Sequence, residues 1–176
     1  FSFNEYKKQW TSNIKGDLTG YFGDGISSLV DFTDGRYAFQ TSGVSFTQVI
    51  TRDNRDHPEF PTEGSKFNWT STFSGSFLGG DEDYHKHVFD IKWFTPLMRK
   101  FVMHQVIKLG VLDQIIVEDE QSVIPPSARF VMGGSGMPYG EMLRGYSDNS
   151  VGPFGSYNRG GSITLKYSME LRLLLS

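Results

Sequence analysis

At 176 residues the chain is long enough for one domain with its own core, and a net charge of −3 argues against nucleic acid as a main partner. Cysteine is absent, which excludes disulfides and thiolate metal sites. No run of about 18 apolar residues occurs, so a transmembrane helix is excluded; a mean hydropathy of −0.35 leaves a strand-built membrane protein open, because alternating faces average out.

Aromatic residues make up 15% of the chain, with 20 glycines and 15 phenylalanines, a balance that predicts strands rather than helices. Residues 1–42 read as an N-terminal strand and extracellular-loop region, the strand running from Phe1 to Trp10 with Phe1 and Phe3 on one side and Lys7 and Lys8 interrupting it. A loop-like stretch follows from 11 to 41, containing Gly16, Gly20, Gly23, Gly25 and Gly35. From Gly43 a period of two sets in, and 43–176 reads as one unit. Val44, Phe46 and Ile50 oppose Ser45, Thr47 and Thr51; after the turn region 51–64, punctuated by Pro58, Pro61 and Gly64, Phe67, Trp69, Phe73 and Phe77 oppose Lys66, Asn68, Thr70, Thr72, Ser74 and Ser76. Phe89, Ile91 and Trp93 then oppose Lys86, Asp90 and Lys92, and beyond Pro96 the residues Phe101, Met103, Ile107, Leu109 and Val111 alternate with His104 and Lys108. Last come Ile163, Leu165, Tyr167, Met169, Leu171, Leu173 and Leu175 against Thr164, Lys166, Ser168, Glu170 and Arg172.

These segments reach about 11–13 residues at roughly 3.3 Å each, twice the usual strand. Tilted by about 40°, such a strand spans the roughly 30 Å of a bilayer's hydrocarbon core. Turning the last strand over would put Lys166, Glu170 and Arg172 into lipid, at about 2–4 kcal/mol per basic residue at mid-depth. The expectation is therefore an all-β fold: part of a transmembrane antiparallel barrel, about five to six long strands, apolar face to lipid and polar face to a wet lumen. A soluble β-sandwich binding module, with the leucine row buried against a second sheet, would show the same alternation.

Between two strands lies the long connection 113–162, which holds GGSGMPYGEMLRGYSDNSVGP from Gly133 to Pro153, a stretch without period. Its glycine density points to tight turns or to backbone pressed against a surface. A phosphate-cradling loop needs Gly-Lys-Ser/Thr opening a helix, and Ser135 lacks the closing glycine of a nucleophile elbow, so no enzymatic site is expected here. His85 and His87 share a strand face as rim residues, and Asp81-Glu82-Asp83 and Glu118-Asp119-Glu120 read as solvated loops. The sequon Asn68-Trp69-Thr70 lies mid-strand with Asn68 inward.

Leu143-Arg144-Gly145-Tyr146 and the trailing Asn149-Ser150-Val151-Gly152-Pro153 resemble the (V/I/L)RG(F/Y) motif and its tail in the BamA-type outer-membrane assembly proteins. Arg52-Asp53-Asn54-Arg55-Asp56 with Phe60-Pro61-Thr62-Glu63-Gly64 is similar to a periplasmic turn of that family, and the resemblance runs from about Gly43 to Ser176. It implies a sixteen-stranded barrel behind periplasmic POTRA domains, of which this chain would carry roughly the eighth to twelfth strands. It also implies an extracellular loop folded into the lumen, where Arg144 pairs with an acidic residue of the inner wall. Glu170, which alternation turns inward, is the partner expected here, and Arg144→Ala is expected to free the loop. Further implications are a non-enzymatic role in inserting client β-barrel proteins into the outer membrane of a Gram-negative-type bacterium, no cofactor, and the bilayer, nascent clients and accessory lipoproteins as partners. A two-partner-secretion-type transporter carries a similar loop and stays open as the alternative. The start without Met and the end in a strand suggest a piece of a longer chain.

Overall fold

The protein was analysed as a computed structural model, which describes residues 1–13, 15, 18, 30–75, 78–115, 124–136, 140–153 and 160–173. Gly16, Gly20, Gly23, Gly25, Ser76, Phe77, Glu118-Asp119-Glu120 and Leu175 lie outside the described residues. Seven strands form one antiparallel sheet: β1 (Ser2–Ser12), β2 (Asp31–Thr33), β3 (Arg36–Asp53), β4 (Gly64–Ser74), β5 (Tyr84–Met98), β6 (Phe101–Asp113) and β7 (Ile163–Leu173). The order is β1-β3-β4-β5-β6-β7 with the short β2 folded back on β3, and the sheet does not close: β1 and β7 are its edges.

Six strands are long, at 11 to 18 residues. The N-terminal expectation needs correction. Residues 36–42, read as loop, are the first part of β3, so the boundary at 42/43 falls inside a strand. Their side chains have no clean alternation, and what makes them strand is the pairing of Ser12–Ser2 with Tyr37–Thr47. Lys8 within β1 is no interruption, because it stands opposite Thr41 near the buried Glu82 carboxylate.

Register fixes the two faces. Ile50, Trp69, Phe89, Leu109 and Leu165 stand opposite one another across β3, β4, β5, β6 and β7. The adjacent rung is Thr51, Asn68, Asp90, Lys108 and Lys166, polar throughout. A slip of one residue on any strand would exchange the two sets. On the apolar side Trp69 and Phe89 stack with ring centroids 5.7 Å apart. Among the described residues no second sheet covers that side, and Leu165, Met169 and Leu171 are 65%, 62% and 64% exposed. The sandwich expected as a rival would bury these side chains.

The apolar band crosses the rungs diagonally. In β7 its midpoint is Ser168, between Ile163 and Leu173; in β3 the outward Val44, Phe46 and Ile50 centre on Thr47. Thr47 leads through Thr72 and Lys86 to Leu112, whose amide bonds Ser162, six residues above Ser168. That is about 20 Å along the strand against about 19 Å across four strand spacings. A level band therefore requires a strand tilt of about 45°, the value of a membrane barrel wall.

In the full-length protein in lipid vesicles, Met169→Lys should destabilise the barrel by about 2–4 kcal/mol, while Ser168→Lys, next door on the polar face, should change it by less than about 1 kcal/mol. Denaturant titrations of the reconstituted variants check this.

Candidate functional site

The polar face is where the long connection settles. Residues 130–134 are its spine: Phe130 bridges Gly161, Met132 bridges both Glu141 and Val151, and Gly134 bridges Leu143. The Phe130 ring packs against Gly110 of β6, where a Cβ would come within 2.5 Å of it. Lys86 of β5 reaches the same ring at 4.6 Å and donates to the Ala128 carbonyl at 2.7 Å. Ala128, Phe130 and Ile124 close over Leu112 and Tyr84, a small apolar seal at the loop end of the sheet.

Glu141 is the ionic fastening, and sequence reasoning missed it. Its carboxylate accepts from Lys108 of β6 at 2.7 Å and from Lys166 of β7 at 2.8 Å. Lys166 also donates to the Met142 carbonyl at 2.7 Å. Both lysines sit in the polar rung, so one carboxylate spans two strands and holds the loop to the wall. The two lysines, largest cause after the opposing effect of burial, hold the Glu141 carboxyl below its ordinary range. The signal available in the sequence was a pair of inward lysines opposite each other, Lys108 and Lys166, which need an anion between them.

The motif sits just beyond this fastening. Leu143 donates its amide to the Gly134 carbonyl at 3.3 Å, and Gly134 donates to the Tyr146 carbonyl at 2.9 Å. Arg144 and Gly145 (φ +87°) form the turn between them, and Arg144 and Tyr146 are exposed. Asp148 stiffens the base by accepting from the amide and hydroxyl of Ser135 at 2.7 and 2.8 Å. Gly152 and Pro153 follow the Met132–Val151 bridge.

The expected pair of Arg144 with Glu170 is not formed. Glu170 accepts from Arg172 at 3.0 Å, and Arg172 also donates to Nδ1 of His104, whose ring stacks on Phe94 at 4.5 Å. Lys166, beside the motif, is four residues up β7 from Glu170, about 13 Å away along the strand. The loop is held without Arg144, so the expected release of the loop by Arg144→Ala loses its basis.

At the opposite end, the residues of the second motif are wired together. Arg55 donates to both carboxylate oxygens of Asp53 at 2.8 and 2.7 Å and to the Pro58 carbonyl at 3.1 Å. Asn54 Oδ1 accepts from the amide and hydroxyl of Ser65, and Asp56 Oδ1 accepts from the amides of Thr62 and Glu63. Gly64 has φ +101°, with a Cβ site 2.5 Å from the Asn54 carbonyl, so only glycine fits. Pro61 is buried, whereas Phe60 and Arg52 are exposed.

The acidic run after Gly80 is not a solvated loop. Glu82 is fully buried, with its carboxylate bonded to the Tyr6 hydroxyl and, at 3.0 Å, to Thr41; Asp81 accepts from the amide and hydroxyl of Ser42 at 2.8 Å. These bonds replace hydration and dock the β4–β5 connection over β1 and β3. His85 and His87 lie side by side on the outward face, rings 5.2 Å apart. Asn68 accepts from Thr51 within the polar rung, at 2.7 Å. Among the described residues no group of acidic or imidazole side chains is arranged to hold a metal ion.

A sequence profile described as the Omp85 superfamily domain matches residues 3–175. The outer membrane protein assembly factor BamA of Nitratidesulfovibrio vulgaris (strain Hildenborough) is 28% identical over 130 residues, covering 74% of this chain and 15% of the relative. In fold, the chain matches the crystal structure of BamA from Haemophilus ducreyi lacking POTRA domains 1–3, with a TM-score of 0.64 at 18% identity, over 96% of this chain and 32% of that one. The chain thus spans well under half the length of either.

Glu141→Gln should remove roughly 1–2 kcal/mol of loop docking and raise protease cleavage between 124 and 162 about tenfold in the full-length protein. The Asp56 carboxyl is held below the ordinary carboxylate range by the Thr62 hydroxyl and the Glu63 amide. A depressed value means that the turn's stabilisation is complete above the ordinary range near 4 and is lost as pH falls through the lower folded value. Amide exchange at Thr62 and Glu63 should accordingly stay slow down to about pH 4 and speed up below it; Asp56→Asn should remove that dependence.

Proposed function

The chain belongs to the Omp85 superfamily, and on that premise we propose that it is a segment of the membrane barrel of an outer-membrane β-barrel assembly factor. The observation that carries the reading is the division of labour between the two faces. A loop bearing Leu143-Arg144-Gly145-Tyr146 is fastened to the polar side, and the apolar side is left bare for lipid. The relatives named as assembly factor and as BamA support the same activity.

In this reading the protein resides in the outer membrane and promotes folding and insertion of client barrels without an enzymatic step. Its partners are the bilayer, nascent clients and accessory lipoproteins. The segment supplies wall and loop. The strand edges that open for a client belong to the first and last strands of the barrel, outside this segment.

Arg144, exposed at the tip of a turn closed by the bonds of Leu143 and Tyr146 to Gly134, is poised to meet an acidic group of the inner wall beyond the seven strands described. Gly145 and Tyr146 shape that tip, and Glu141 rather than Arg144 fastens the loop.

In a depletion strain carrying the full-length protein, Arg144→Ala should lower outer-membrane β-barrel levels severalfold while the loop stays protease-resistant. Unchanged barrel protein levels, or loss confined to one secreted polypeptide, would overturn the assembly reading.

A further inference from the structure

We propose that the outward rim at the turn end of the sheet, formed by Arg52, Arg99 and Lys100, is a binding site for the phosphate groups of anionic phospholipids in the periplasmic leaflet. The proposal rests on the reading that the apolar face meets lipid, and it names what that face meets at its lower border.

Arg52 is the unexpected residue. It pairs with Phe67 in the register that continues through Ile91, Ile107 and Tyr167, so it stands on the lipid side rather than in the lumen. Its neighbour Asp53, by contrast, is on the polar side and takes Arg55 and Lys66. An exposed guanidinium on this face has no business at mid-depth, where hydrocarbon would surround it. The diagonal band places it elsewhere. Arg52 is five residues past Thr47, which at about 45° of tilt is roughly 12 Å below the midplane of a core about 15 Å deep on each side. From there its long side chain reaches the headgroups.

The β5–β6 turn extends lower. Halfway between the band midpoints of β7 and β3 the level falls on Phe89 of β5, and Met98 is nine residues further. That is about 20 Å below the midplane, in the headgroup layer. Leu97 and Met98 are 51% and 74% exposed, and Arg99 and Lys100, also exposed, follow them at the tip. Trp93, 37% exposed, lies higher on the same face, four residues past Phe89 and so about 9 Å below the midplane. An apolar face that ends in an aromatic and then in cations within reach of the headgroups is the chemistry of a phosphate-capped leaflet. The rim is continuous with the row Phe101–Leu173 of the apolar face, so a lipid seated there keeps its chains on protein already facing the bilayer. On the outward face of β1, Glu5 and Lys7 stand opposite Val44 and Ser42 and put opposite charges side by side, without this single-sign arrangement.

The test uses the full-length protein in phosphatidylcholine nanodiscs doped with spin-labelled phosphatidylglycerol or phosphatidylcholine, reading the motionally restricted fraction. Heat-modifiable gel mobility verifies that each variant is a folded barrel. Wild type should favour phosphatidylglycerol; Arg52→Gln and the double variant Arg99→Gln/Lys100→Gln should each lower that preference, by roughly fivefold per cation removed. Lys7→Gln should leave it unchanged, and Arg52→Lys should retain most of it. Equal preference in wild type and both rim variants would overturn the site. So would displacement of the labelled lipid by inorganic phosphate beyond the effect of chloride at matched ionic strength, which would mark a site for free anions. Client insertion is scored separately: its loss with lipid preference intact would count against the assembly reading and not against the rim.

Discussion

The structure depends on keeping two adjacent rungs on opposite sides of one sheet. Ile50, Trp69, Phe89, Leu109 and Leu165 form one rung, and Thr51, Asn68, Asp90, Lys108 and Lys166 the next. Because side chains alternate with a period of two, the same backbone hydrogen bonds that align the hydrocarbon also stack the charges. A sheet with one greasy and one charged side cannot bury both in a single medium. Lipid outside and water or a polar loop inside satisfies both at once.

That partition explains why the long connection folds where it does. The inner side offers Lys86, Lys108 and Lys166 close together, and the loop answers with the Ala128 carbonyl and the Glu141 carboxylate. Phe130 fills the space left by Gly110, where the wall itself has no side chain. The loop therefore brings one anion and one ring to a surface that lacked both. Its motif turn, with backbone bonds already made to Gly134, leaves Arg144 exposed. The turn at the other end uses the same economy: three side chains, Asp53, Asn54 and Asp56, satisfy the polar groups of the turn residues and pin the β3–β4 register. Preorganised in this way, both connections keep the sheet ends ordered, the loop end with the small cluster of Tyr84, Leu112 and Ala128 beneath it.

Legibility in the sequence varied with the physics involved. The row Ile163 to Leu173 and the segment Phe67 to Phe73 announced strand, face and length, since burial in lipid leaves a period-two record in the residues themselves. Asp53, Asn54, Asp56 and Gly64 announced a tight turn through their own side-chain chemistry. Residues 36–42 announced nothing, because their strand comes from pairing with β1 above the apolar band, where Phe39 is the one fully buried apolar residue of the stretch, against Leu18 and Trp10, and no period-two row forms. Asp81-Glu82-Asp83 read as a solvated run, since the partners that make a buried carboxylate tolerable, Tyr6 and Thr41, are 76 and 41 positions away.

What the sequence determined by itself was the sheet, its two faces and the presence of a constrained glycine-rich loop, each written in local spacing. What only the tertiary structure decided was which charges meet. Glu170 found Arg172 and His104, Lys108 and Lys166 found Glu141, and Arg52 was left on the lipid side with no described side chain to neutralise it. Ion pairing is a matter of a few ångströms between residues remote in the chain, and alternation tells which side a charge is on but not how far along the wall its partner lies.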